Sequence, residues 1–390
     1  MANLFDYLAW RGDLPLCLVP LNEVDGILLS RLSYLPFELL PQPLEDVPVS
    51  LRDAAQALAA HPAFGESVLR RNDARLLAAL GESRRFQDMQ LFRYVKQFDP
   101  ETQTQFSAVS IQLEPGRTFV SFCGTDDTLV GWKEDFNMGF VCPVPAQRSA
   151  AVYFQQIARE REGRFLLGGH SKGGNLAVYA AAFCPPELEA RIEAAYNFDG
   201  PGFDESVLKT DGYRRVCHKL STFVPQSSIV GMLLGHEEKY TIVHSTQSNG
   251  LLQHSVYSWE VQRDSFLHLD TVTNGSRFID FTLKEWISRM DVHQREAFVD
   301  TVYDILTQNN AQTLRELKEH RFATTRLLLR SVRHLDEPTR KVVTGALIAL
   351  IRSTKRGLLQ TLRTDVHRPA ARLRSGKVKI RIVPPGQNRS

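Results

Sequence analysis

Ser171 sits at the centre of "RFLLGGHSKGGNLAVYAAAF", residues 164–183, where Gly169-His170-Ser171-Lys172-Gly173 reads G-x-S-x-G. A serine hydroxyl becomes a nucleophile only when its backbone is lifted into a cleft and a base takes its proton. The five residues alone are weak support for that, and their context is stronger. The apolar "FLLG" predicts a buried strand before the turn, and "GNLAVYAAAF" predicts a helix directly after it, which is the setting of a nucleophile elbow. Glycine on both sides suits a backbone too strained to accept neighbouring Cβ atoms. The turn also puts Ser171 at the amino end of a helix, where N–H groups and the helix dipole favour developing negative charge. The competing reading is a serine that only caps that helix.

The base and acid are expected downstream, in the order Ser, acid, His. Five histidines follow the turn within the strand-bearing part: His218, His236, His244, His254 and His268. His254, in "LLQHSVYSW", falls after the last expected strand, where a loop can hang an imidazole over the strand ends; His218 and His244 lie in or at the end of apparent strands. "YNFDGPGF" sets Asp199 at the carboxyl end of the strand after the serine helix, with a Gly-Pro-Gly turn to hold it at the rim. The alternatives are a surface histidine, and an aspartate that merely caps the helix beginning near Asp204. The next strand ends "FVPQSSIVG" and has no carboxylate at its tip, only Gln226, Ser227 and Ser228. Oxyanion donors are expected from Gly124-Thr125, which ends the strand "FVSFCG", and from the N–H of Lys172. The same Gly-Thr is also compatible with a plain turn.

The elements that must position these groups follow from periodicity. "VDGILLSRLSYL" and "SLRDAAQALAAH" show helical spacing, so residues 1–85 are expected to be helices and loops. "MQLFRYVKQF", "TQFSAVSIQL" and "RTFVSFCG", separated by Asp-Pro and Pro-Gly, predict an antiparallel meander. Strand and helix patterns then alternate through "KYTIVHS", which predicts a mostly parallel sheet covered on both faces, with its chemistry at the carboxyl ends of the strands. Beyond residue 275 only amphipathic helix patterns appear. The expected organisation is a helical amino-terminal segment (1–85) packed on an α/β core (86–275), a helical region (276–363) and a basic flexible tail (364–390).

With 390 residues and 43% hydrophobic composition, the chain has material for a large core. Its five cysteines are scattered and never in C-x-x-C spacing, which argues against a disulfide framework or a zinc site; no metal and no cofactor are expected. The opening "MANLFDYLAWRGDLPL" interrupts any signal-like apolar run, so a cytoplasmic protein is expected. Charge divides unevenly: residues 315–390 carry 19 Lys+Arg against 5 Asp+Glu, and residues 1–314 carry 28 against 39. The basic end surrounds an apolar run, "VVTGALIALI", too short to cross a bilayer. It is either a bundle helix with a solvated cationic face or a peripheral contact with an anionic membrane surface. Nucleic acid, supported by charge alone, is not expected as a partner.

Taken together, "VSFCGTDD…GWKEDF", "LGGHSKGGNLA", "YNFDGPGF", "STFVPQSSIVG…VHS…QHSVYSWEV" and the opening "LFDYLAWRGDLPL" resemble the bacterial lipase-like α/β-hydrolase family termed Mbeg-like, over about residues 3–265. The resemblance implies an α/β-hydrolase-like fold and distant kinship with the class 3 lipases, which match at Gly124-Thr125, at the elbow and at His254. Class 3 lipases carry their acid after the strand that here ends "FVPQSSIVG", so the match fails at Ser227 and Ser228, and Asp199 stands on its own residues. The expected function is hydrolysis of a lipid or other acyl ester through an acyl-enzyme. The alternative is a hydrolase-like scaffold, impaired in catalysis, that binds a partner through the same cleft.

Overall fold

The computed structural model describes residues 1–273, apart from 46, 127–128, 139–141 and 249. The helical region expected over 276–363 and the basic tail expected over 364–390 lie outside the described residues.

Short polar caps start the amino-terminal helices. Asn3 opens α1 (Leu4–Arg11) and Asn22 opens α2 (Glu23–Ser30); in each, the amide oxygen accepts from two backbone N–H groups while Asp6 or Asp25 answers the cap's own N–H. Ser50 caps α3 (Leu51–Ala60), followed by α4 (Phe64–Ser67) and α5 (Arg71–Glu82). Because Ser50 has the extended backbone of a cap, Val49–Ser50 (β1) also pairs with the next strand, a contact that the helical reading of 1–85 leaves out. The segment is pinned internally by Arg85, whose Nε and Nη2 reach both oxygens of Asp25 while its remaining donors meet the carbonyls of Leu14, Val19 and Pro20. Both charges are fully buried, so each depends on this saturation of partners.

β2 (Gln90–Asp99), β3 (Thr104–Glu114) and β4 (Arg117–Phe122) form the expected meander; Pro115-Gly116 turns the chain between the last two, with Gly116 at φ +76°. From β4 the sheet runs parallel through β5 (Arg164–His170), β6 (Ile192–Phe198), β7 (Leu220–Pro225) and β8 (Tyr240–Val243). The crossovers carry α6 (Leu129–Asn137), α7 (Pro145–Glu160), α8 (Lys172–Ala182) and α9 (Pro186–Glu189), then α10 (Glu205–Leu208) and α11 (Asp211–Val216). After β8 come α12 (Gly250–Gln253), a small hairpin of β9 (Val261–Gln262) and β10 (Ser265–Phe266), and β11 (His268–Leu269), which returns antiparallel to β8. Among the described residues the nine-stranded sheet thus has the order β1-β2-β3-β4-β5-β6-β7-β8-β11, a mixed, α/β-hydrolase-like architecture whose central strands β4 to β8 run parallel, flanked by helices. The stretch "VCHKLSTFV" is strand only from Leu220; Cys217–Lys219 forms a 3₁₀ turn that tightens the end of α11, so His218 is not in the sheet.

Period-2 alternation sorts the strands into two cores. Phe119, Leu166, Phe198, Phe223 and Val243 face the amino-terminal helices and Trp259, whereas Val120, Phe122, Phe165, Leu167 and Ala195 face α7, α8 and α11. Phe198 is fully buried, stacked 5.8 Å from Tyr196 and 5.3 Å from Phe223, with Trp259 and Phe266 against it at 6.4 Å each. It also immediately precedes Asp199. Phe198→Ala should cost about 3–5 kcal/mol through lost transfer energy and the cavity left behind. Urea unfolding should show a lower midpoint with an unchanged slope; an unaltered midpoint would mean that this aromatic cluster does not hold the sheet.

Candidate active site

Parallel pairing of His170 with Phe198 brings the ends of β5 and β6 side by side. There the chain makes two sharp exits: Ser171 has φ 59° and ψ −134°, and Asp199 has φ 53°. Neither backbone is comfortable for a residue with a Cβ, and such conformations cost about 1–3 kcal/mol each. They are held by the sheet itself, since the Ser171 N–H donates to the Phe198 carbonyl at 2.9 Å and the Asp199 N–H to the Phe223 carbonyl at 2.8 Å. Glycine around Ser171 is obligatory, because a Cβ on Gly169 would stand 2.2 Å from the Gly173 carbonyl and one on Gly173 would stand 2.2 Å from that of Phe122. Ser171 makes no side-chain cap of α8; its hydroxyl is half-buried at the head of that helix.

The Asp199 carboxylate is completely buried. Its Oδ2 is 2.6 Å from His254 Nδ1, while Oδ1 accepts from the Ser228 hydroxyl at 2.5 Å and the Gly231 N–H at 3.1 Å. Ser228 stands just past the end of β7. Here the position supplies a hydroxyl to a carboxylate that arrives from β6. Asp199 does not cap the following helix either, because Asp204 does so itself. A carboxylate only accepts, so Nδ1 of His254 carries a hydrogen, and in the neutral ring that leaves the lone pair on Nε2.

The remaining histidines sit elsewhere. His236 lies between the Glu238 carboxylate and the Gly231 carbonyl, both at 2.9 Å, and braces the loop that reaches Asp199. His244 is 2.8 Å from Glu260 and His268 is 2.7 Å from Glu23. Ser227 gives its N–H to Gln253 at 2.8 Å, and so holds the residue that precedes His254.

On the other side of Ser171, Gly124, two residues past the end of β4, comes so close that a Cβ there would lie 3.1 Å from Ser171 Cβ. The next residue, Thr125, donates its hydroxyl hydrogen to Asp135 Oδ2. That bond takes the hydrogen expected for an oxyanion, so while Asp135 is ionised Thr125 has only its backbone N–H to offer. The Lys172 side chain is buried. Its buried ammonium meets Glu134 at 2.9 Å, Gln105 Oε1 at 2.6 Å and the Gln105 carbonyl at 2.9 Å. Burial alone would lower its affinity for the proton, but Glu134 and Asp135 outweigh this and hold it above the ordinary lysine range. As the first residue of α8, Lys172 has an N–H with no helical acceptor. Burial pushes Asp135 up to about 6, against the opposing pull of Lys172 and the Thr125 hydroxyl.

A family model described as Mbeg1-like matches residues 80–304. The chain belongs to the Mbeg1-like family. The matched region includes Thr125, Ser171, Lys172, Asp199 and His254. Among solved structures, the M37 lipase is similar at 15% identity over 53% of this chain and 68% of that one, with a TM-score of 0.34. The Rhizomucor miehei lipase in its propeptide complex is similar at 12% identity over 53% and 68%, with a TM-score of 0.34. A fungal lipase–inhibitor complex is similar at 12% identity over 50% and 78%, with a TM-score of 0.33. A search of curated proteins finds no match.

In this Mbeg1-like chain, sequence reading misses Glu134, Asp135 and Gln105, which fasten α6 and β3 to the elbow. The only signal was the acidic pair inside "GWKEDF"; Gln105, 67 residues from Lys172, left none. One consequence is measurable. Asp135 holds its proton more tightly folded than unfolded, so it lowers stability progressively as pH rises from about 4, the unfolded carboxyl value, to about 6. The stability of wild type relative to Asp135→Asn, from urea midpoints, should therefore fall across that window and level off above it. A difference that rises with pH would reverse the assignment.

Proposed function

We propose that this chain is a serine ester hydrolase acting on a lipid or other acyl ester through an acyl-enzyme. The reading is carried by one observation: the sealed carboxylate of Asp199, 2.6 Å from His254 Nδ1, exits the strand next to the one that ends at Ser171.

In this reading His254 Nε2 accepts the Ser171 hydroxyl proton as Oγ bonds to the acyl carbon. Asp199 holds the imidazole in one tautomer and stabilises the imidazolium that forms, without itself taking the proton. The negative oxygen of the tetrahedral intermediate is received by the N–H groups of Lys172, at the head of α8, and of Thr125, beside Gly124. Collapse breaks the ester C–O bond, and the alcohol leaves with the proton from His254. Water then repeats the sequence on the acyl-enzyme and returns Ser171. The rival reading, a scaffold without turnover, draws its support from the missing carboxylate at the tip of β7. Asp199, whose carboxylate meets the loop after β7 from β6, favours the hydrolase reading.

A fluorophosphonate probe should label Ser171, located by mass spectrometry, and Ser171→Ala should abolish labelling. Asp199→Asn should keep the fold and lower ester turnover by about 10⁴, as loss of an orienting carboxylate does in other triads. Undiminished labelling of the Ser171→Ala protein would remove the nucleophile assignment, and unchanged turnover in Asp199→Asn would remove the acid.

A further inference from the structure

Behind His254 lies a set of buried polar groups that the reaction as written does not use. His170, the residue before Ser171, is only 2% exposed. Its Nε2 is 2.8 Å from the carbonyl oxygen of His254, and its Nδ1 is 3.3 Å from Arg31 Nη1 and 3.3 Å from Tyr34 Oη. A carbonyl only accepts and a guanidinium only donates, so Nε2 must carry the hydrogen and Nδ1 the lone pair. One neutral tautomer satisfies both contacts. Burial, with His254 and Arg31 nearby, pushes His170 well below the ordinary histidine range, which keeps that neutral form.

The contact answers a local need. α12 ends at Gln253, so the carbonyls of Gln253 and His254 stand at a helix end without helical N–H partners. Trp259 Nε1 donates to the first at 2.8 Å and His170 donates to the second. His170 is itself gripped from the amino-terminal segment. Arg31, at the end of α2, makes three bonds of 2.7–3.0 Å to Asp73 of α5, with both side chains 1% exposed. Asp73 also accepts from Tyr257 Oη at 2.5 Å. Tyr257 follows His254 by three residues, so the loop is held on both sides of the imidazole: at its carbonyl by His170, and at Tyr257 by Asp73. The His170 and His254 rings face each other with centroids 4.5 Å apart.

We propose that His170, seated by the buried Arg31–Asp73 pair, is a positioning residue that clamps the main chain of His254 so that its imidazole keeps its place while the proton moves. The inference rests on the reading of His254 as the base. It assigns the amino-terminal segment a part in the reaction, since Arg31 caps the end of α2 and Asp73 lies in α5, outside the sheet.

The test uses the full chain and the concentration dependence of fluorophosphonate labelling at Ser171, which separates the maximal rate, kinact, from binding, KI. His170→Phe keeps a ring and removes its polar contacts with the His254 carbonyl, Arg31 and Tyr34; kinact should fall about 10–100-fold with KI unchanged, as small misplacements of catalytic groups do. His170→Gln retains an N–H for the His254 carbonyl and an oxygen for Arg31, and should recover most of the rate. Tyr257→Phe keeps its stack on Phe5, 5.8 Å away, and loses the hydroxyl that bonds Asp73; it should label several-fold more slowly. Wild-type rates in a folded His170→Phe protein, or equal losses in Phe and Gln, would overturn the inference and leave the hydrolase reading standing. Should His170→Phe not fold, a wild-type kinact in Tyr257→Phe overturns it instead. A wild-type chain that never labels at Ser171 takes the hydrolase reading down, and this inference with it.

Discussion

A carboxylate removed from water keeps its charge only if donors surround it, and the fold around the candidate site is organised by that demand at Asp199. Burying an ion unpaired costs several kcal/mol, so the chain brings three donors to one side chain: a ring nitrogen from the loop after α12, and a hydroxyl and an N–H from the loop after β7. Each donor fixes a different stretch of backbone. His254 is thereby set relative to β6, and Ser228 and Gly231 close the floor beneath it. The parallel register of β5, β6 and β7 then sets this cluster beside Ser171, because Ser171 and Asp199 leave adjacent strands just past the same ladder pair, His170 and Phe198.

The two strained exits make sense against this background. A left-handed Ser171 or Asp199 would relax in an isolated turn. Here each is held by a backbone bond to the neighbouring strand and by contacts that exclude a Cβ at Gly169 and Gly173. Strain is tolerated because the surroundings over-determine it. The same density surrounds the elbow, where the Lys172 ammonium is buried against Glu134 and Gln105. That buried pair joins three elements, β3, α6 and α8. It also places Asp135, the next residue of α6, against the hydroxyl of Thr125.

The amino-terminal helices are part of this construction. Their leucines fill the face of the sheet carrying Phe119, Leu166 and Phe198, and their two buried ion pairs, Arg85–Asp25 and Arg31–Asp73, differ in reach. The first ties the segment to itself through carbonyls of its own loop. The second extends through His170 and Tyr257 to the loop of His254.

Local chemistry was enough for sequence to determine much of this. Apolar runs of strand length alternating with helical patterns predict a mostly parallel sheet; a Gly-rich turn between them marks Ser171 as a candidate; a Gly-Pro-Gly turn sets Asp199 at a strand end; and of five downstream histidines His254 falls after the last expected strand. All of these are features of a few consecutive residues. What sequence could not determine were relations across tens or hundreds of residues. Asp199 meets Ser228 and His254 only because three strands lie in register, and Arg31 meets Asp73, His170 and Tyr257 only because the helical segment closes over one face of the sheet. Thr125 offers a hydroxyl on paper, and the structure hands its hydrogen to Asp135. A side chain's residue type fixes which bonds it can make; burial and the competing partners that the fold delivers decide which ones it does make.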